Sequence, residues 1–155
     1  MFKEILKVWK EQAFSSRIVD EFIFMLDSSE EMLSYAFKTL TKKGKAKEIE
    51  KNIYLKDQSI NIKERDIRKQ VLVHLAANPG SNLPACLALI SISKDAERLG
   101  DYIKNIIELK ELLHDTKGDR RLFEKLFEEY GDDLLKLVAM VKEAFRKSDK
   151  ELATQ

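Results

Sequence analysis

The 155-residue chain is poor in the residues that interrupt helices, with 5 glycines and 2 prolines. So few breakers, in a sequence rich in Glu, Lys, Leu and Ile, leave little room for turns and point to long helices. There is one cysteine, Cys86, which excludes an internal disulfide and suits a reducing compartment. No apolar run approaches the length needed to cross a bilayer, and no secretory leader is visible. A soluble cytoplasmic protein is therefore expected. Charge of one sign is also lacking: 28 Lys and Arg stand against 27 Asp and Glu. That balance gives no electrostatic ground for nucleic acid as a ligand. The phosphate-cradling glycine loop, the dinucleotide fingerprint and the GxSxG nucleophile elbow are all missing, so catalysis has no positive support.

What is present is helical periodicity. Residues 2 to about 12 form a short amphipathic segment with Phe2, Ile5, Leu6 and Trp9 on one side. Packing against protein is its expected role; with mixed charge it would give at most peripheral membrane association. From Ser16 to about Leu40 apolar residues recur at Ile18, Phe22, Met25, Met32, Ala36 and Leu40. Ser15 or Ser16 is the expected cap and Gly44 the expected stop. A second helix is expected from about Lys45 to Ala77, on Ile49, Ile53, Ile60, Ile67 and Val71. "NPGSNLP" then makes a turn, because Pro79 cannot continue the ladder. A third helix runs from about Leu83 to His114 on Leu89, Ile92, Ala96, Leu99, Ile103 and Ile106. After a turn at Asp115–Asp119, the last carries Phe123, Phe127, Tyr130, Leu134, Val138, Val141 and Phe145, expected as core. Every long segment has an apolar stripe and none alternates like a strand. The expected fold is all-α, an antiparallel bundle of long helices.

A faint repeat is visible. "MLSYAFK" (Met32 to Lys38) shares three of seven residues with "MVKEAFR" (Met140 to Arg146), and both lie near a helix end. A duplicated helix follows as an expectation.

The chemistry-bearing stretch is "SKDAERLGDYIKNIIE", Ser93 to Glu108. Glu97 and Asp101 stand one turn apart, where like charges repel. Gly100, which costs about 1 kcal/mol against alanine in a helix, is expected to permit close approach by a neighbour. A cation would reverse the repulsion. The second helix offers a matching pair, Asp57 and Asn61, followed by Glu64. Oxygen donors from two helices can serve a hard metal ion, so Glu97, Asp101, Asp57 and Asn61 are the candidate metal ligands. The competing reading is two solvated acidic faces. Glu111 and His114 make one Glu-x-x-His pair, but His74 supplies no second, so a ferritin-like di-iron site is not expected. Cys86 reads as a packing residue.

"KDAERLGDYIKNIIEL" resembles the motif of PhoU-domain proteins, which regulate phosphate uptake in bacteria and archaea. Glu97, Arg98, Gly100, Asp101, Lys104, Asn105, Ile106 and Glu108 match its phrase. Asp57, Asn61 and Arg68 in "KDQSINIKERDIRKQVLVHLAANP" resemble the family's preceding helix. The resemblance implies a three-helix unit, here residues 15–116 of a single domain spanning 1–155. Residues 119–150 would be an additional helix that begins an incomplete second unit. It implies a metal site, often an iron or zinc cluster, on the acidic motifs. It also implies a non-enzymatic regulator docking to a phosphate ABC transporter or a sensor histidine kinase, with a homo-oligomer expected. Asn61 stands where many members have Asp, which would weaken metal binding. The alternative is a metal-free homo-oligomeric scaffold or adaptor, and a metal-dependent enzyme ranks below both.

Overall fold

The structure is a computed structural model that describes residues 13–41, 46–112, 117–147, 149 and 151–152. Four long helices make up nearly all of it: α1 (Ala13–Thr41), α2 (Ala46–Ala77), α3 (Leu83–Leu112) and α4 (Lys117–Lys147). No strand occurs among the described residues. The expected amphipathic segment at 2–12, the stop at Gly44, His114 and the side chains of Leu40, Ile49, Glu111 and Phe123 lie outside them.

The apolar stripes close a common core. Ile18, Met25, Met32 and Ala36 of α1, Ile53, Ile60, Ile67 and Val71 of α2, and Leu89, Ala96 and Ile103 of α3 are buried together. Cys86 joins them, and burial pushes its thiol up from the ordinary value, which suits a packing residue rather than a nucleophile. On α3 the inward stripe takes Ile107 as fully buried, with Ile106 only half-buried. Each fully buried side chain of this size contributes about 1.5–3 kcal/mol relative to exposure.

Two helix boundaries differ from the sequence reading. Ser15 and Ser16 lie within α1, which already runs from Ala13, so neither caps it. α4 begins at Lys117, inside the stretch Asp115–Asp119 expected as a turn. The turn between α2 and α3 is built as expected and more tightly. The Asn78 N–H donates to the His74 carbonyl at 3.0 Å, and Ser81 Oγ meets His74 Nε2 at 2.9 Å. Asn82 caps α3: its Oδ1 accepts the Ala85 N–H at 3.2 Å, leaving Pro84 in the first turn where no donor is needed.

α1 packs antiparallel to α2 and also borders α3, while α2 and α3 pair with each other; α4 lies against α1. The α1–α4 seam has a near-twofold pattern. Phe22 of α1 stacks tilted on Phe145 of α4, with ring centroids 4.7 Å apart. Phe37 of α1, the repeat counterpart of Phe145, lies over Gly131 of α4. Lys142 binds Asp27 at 3.0 Å and Glu30, and Arg146 binds Asp27 at 3.0 Å. Hydrogen bonding to Glu30, then to Asp27, raises the Lys142 ammonium above the ordinary lysine value against the opposing effect of burial.

The expectation that the whole α4 stripe is core is corrected here. Phe127 and Val138 are buried and Phe145 packs on the core, but Tyr130, Leu134 and Val141 are exposed. A helix packed mainly on one neighbour covers one side only, and this stripe is wider than that side.

A methyl group at Gly131 would collide with the Phe37 ring. One at Gly100 would come nearest the terminal methyl of Ile60, at 3.1 Å. Gly131→Ala should therefore lower stability by about 1–2 kcal/mol in urea denaturation, even after the gain in helix propensity. Gly100→Ala should change it less, and a larger loss at Gly100 than at Gly131 would contradict this packing.

Candidate functional site

Gly100 brings α2 and α3 together. Its missing side chain leaves room for Ile60, and Asp57 Oδ1 would be 4.0 Å from an added Cβ. The neighbour that the sequence reading required is thus α2, and what approaches is a buried isoleucine beside a carboxylate.

Asp57, on α2, is buried, with its side chain 10% exposed. Asp101, on α3, sits across the seam. Lys104 Nζ donates to Asp101 Oδ1 at 2.8 Å and to Asp57 Oδ2 at 3.2 Å, so one ammonium bridges the two helices. Lysine at position i+3 from Asp101 reaches its own helix's carboxylate; reaching Asp57 as well requires the cross-helix register. The hydrogen bond to Asp101 is the main cause raising the Lys104 value above the ordinary one, with Asp57 adding to it and burial opposing. Asn61 completes the α2 side, its Nδ2 donating to Asp57 Oδ2 at 3.4 Å. Tyr54 Oη donates to Glu108 Oε1 at 2.8 Å, a second tie between the same two helices.

On the competing reading Glu97 belongs to a solvated acidic face. Its side chain is instead only 12% exposed, and Lys94 binds its Oε2 at 2.6 Å. Glu64, next along the α2 row, is buried and pairs with Arg68. The four predicted residues therefore divide: Asp57 and Asp101 meet at Lys104, Asn61 bonds to Asp57, and Glu97 pairs with Lys94. Among the described residues no group of three or more His, Cys, Asp or Glu side chains is disposed to hold a metal ion. The place where Asp57 and Asp101 converge holds the Lys104 ammonium, and the donors that meet there are oxygens, a set that suits hard ions.

One buried acid escaped the sequence reading. Glu21 of α1 accepts from Gln70 Nε2 at 2.6 Å and pairs with Lys63 at 3.5 Å and Arg17 at 3.6 Å. It lies one position before the core residue Phe22. A polar residue bordering the stripe, with complementary partners on another helix, was the only available signal. This cluster joins α2 to α1 as Lys104 joins α2 to α3.

The PhoU domain family matches residues 22–109, more than half of the chain. The matched segment covers most of α1 through α3 and contains Asp57, Gly100, Asp101 and Lys104. An uncharacterized protein of Methanocaldococcus jannaschii is 36% identical over 80 residues, which is 50% of this chain and 26% of that relative. The chain thus aligns with about a quarter of the relative's length. No solved structure matches.

Lys104→Met removes the ammonium and leaves two carboxylates facing each other across the seam. At neutral pH it should cost about 1–3 kcal/mol of stability, the penalty for stranding a buried charged acceptor. Because the folded value of Lys104 is raised, its contribution is complete below the ordinary lysine value, about 10.4, and is lost as pH climbs through the folded value. Denaturation curves of wild type and variant should therefore converge at strongly alkaline pH; a gap that stays constant would show that the ammonium is not what joins the helices.

Proposed function

The chain belongs to the PhoU-domain family, and on that premise we propose that it is a helical regulator of phosphate uptake or phosphate signalling that acts by docking. The supporting observation is the match across α1–α3, with the Asp57–Lys104–Asp101 seam inside it. The family is one of regulators rather than enzymes. No described helix is long and apolar enough to cross a membrane. Action at a transporter would therefore proceed through contact by the described helix faces. The partners this reading assigns are components of a phosphate ABC transporter or a sensor histidine kinase, met in the cytoplasm.

The metal reading belongs to the same site. Asp57, Asp101, Asn61 and Glu97 are the residues that would hold an ion, iron or zinc on the family reading. Bound there, it would supply positive charge between two acidic helix faces. This chain's own residues already do that: Lys104 holds Asp57 to Asp101, and Lys94 covers Glu97. An ion would compete with the ammonium groups for the same oxygens. The metal-free scaffold is the second reading, favoured by those same lysine contacts.

Two experiments separate these readings. Protein purified without chelator should carry iron or zinc by elemental analysis under the metal reading, and Glu97→Gln with Asp101→Asn should abolish it. Wild-type protein free of metal leaves the scaffold. Separately, pull-downs from phosphate-replete and phosphate-starved native cells should recover transporter or kinase components, and deletion should alter phosphate uptake. Unchanged uptake together with no such component would overturn the regulatory assignment.

A further inference from the structure

A cleft of about 560 Å³ beside Phe24 is lined by Asp27, Glu30, Glu31, Lys56 and Lys142. Each of these charges is already ion-paired, Lys56 with Glu31 and Lys142 with both Asp27 and Glu30. A cleft of about 500 Å³ between the N-terminal part of α1 and the C-terminal part of α2 is different. Arg17 of α1 and Asp66, Lys69, Val73, His74 and Ala77 of α2 line it. Among the described residues neither Asp66 nor Lys69 has an ion-pair partner. Its volume lies in the range of pockets that hold small molecules, about 300–1,000 Å³.

The packing explains why these groups meet with charge to spare. Asp66, Lys69, Val73 and Ala77 follow at helical spacing along one side of α2. Gln70 reaches Glu21 of α1, and α1 runs antiparallel, so Arg17, one turn before Glu21, falls beside Val73 and His74. Arg17 Nε stands 3.6 Å from Glu21, longer than a hydrogen bond. Glu21 already accepts from Gln70 at 2.6 Å and pairs with Lys63 at 3.5 Å. The guanidinium is therefore not spent on that acid. His74 has both ring nitrogens engaged, Nε2 with Ser81 Oγ at 2.9 Å and Nδ1 with Asn78 Nδ2 at 3.4 Å. What it adds to the cleft is ring carbon. With Ala77 and Val73, which is 60% exposed, it makes an apolar wall next to two cations.

We propose that this cleft binds a small soluble organic anion, a phosphate or carboxylate head group on a planar or apolar body. Two cations against one acid favour a negative ligand. Arg17 offers the planar fork that matches carboxylate and phosphate oxygens, and Lys69 adds a point charge. The body lies on Val73, Ala77 and the His74 ring. A lone inorganic ion would leave that wall wet, and so gains less from the site. Asp66, one turn before Lys69, repels the head group and lowers the affinity that the two cations alone would give. The cleft shares no residue with the Asp57–Lys104–Asp101 seam, and the proposal stands apart from the regulatory reading.

Amide NMR titration of the full chain at constant ionic strength tests this, with phenyl phosphate, benzoate and inorganic phosphate as ligands. Phenyl phosphate or benzoate should shift the amides of Lys69, Val73 and Ala77 saturably, with a dissociation constant of about 1 mM. Inorganic phosphate should bind about tenfold more weakly for want of an apolar body. Lys69→Gln and Arg17→Gln should each weaken the organic anion about tenfold. Asp66→Asn should tighten it about threefold, a gain that a local folding defect would not produce. All three side chains are exposed, so the spectra of the free variants should otherwise overlay that of wild type. The absence of a saturable shift at these amides with either organic anion overturns the proposal. Equal binding of inorganic phosphate, the mark of an adventitious ion only, overturns it too. So does an affinity that the cation substitutions leave unchanged, or that Asp66→Asn lowers.

Discussion

The Lys104 ammonium is what allows α2 and α3 to lie close. Asp57 is buried between them and Asp101 comes from the other side. Without a cation, two carboxylates at such a seam would repel in a medium that screens poorly. Burying an ionised acid carries a desolvation cost that only a paired and hydrogen-bonded arrangement offsets. Gly100 acts on the same seam sterically, making room for Ile60 beside Asp57. The apolar contact sets the distance between the helices, and the charged contact fixes which residues stand opposite each other.

α2 carries this logic on two sides. Towards α3 it presents Asp57 to Lys104; towards α1 it presents Lys63 and Gln70 to the buried Glu21. Between these polar clamps runs the continuous row of Ile53, Ile60, Ile67 and Val71. Apolar burial of that kind is strong but indifferent to small slips along the axis. The acids and their partners remove the indifference, because a slip of one turn would leave Glu21 or Asp57 buried beside the wrong group. α1 is shared in turn between α2–α3 on one side and α4 on the other, through Phe22, Phe37, Asp27 and Glu30.

Periodicity made most of this fold legible. Buried positions of α1, α2 and α3 fell where a 3.6-residue repeat placed them, because each of those helices has neighbours enough to cover its stripe. The same reasoning overreached on α4. Periodicity records that a stripe exists, and Tyr130, Leu134 and Val141 lack a covering neighbour in the chain. Helix ends were read less well: Asn82, the actual cap of α3, differs from any neighbouring polar residue only through its bond to Ala85. At the site, the acidic spacings on the two helices included Asp57 and Asp101, which the structure brings to one lysine. They could not say that Lys104 bridges them, since that depends on a cross-helix register that spacing does not encode; Glu97 answers to Lys94, three residues earlier on its own helix, a spacing the sequence does contain.

The shape of the molecule bears on what kind of work it does. Its helices have 29, 32, 30 and 31 residues, each about 45 Å long at 1.5 Å per residue. Nearly equal rods packed side by side give long faces. The faces differ in character. The α2–α3 seam is charged and internally neutralised, so it stiffens the unit and resists apolar contact. The α4 face carries exposed apolar side chains at Leu122, Leu126, Tyr130, Leu134, Leu137 and Val141. A rigid helical body is suited to recognition: it preserves the geometry of its faces, so the free energy of docking is not consumed in ordering them.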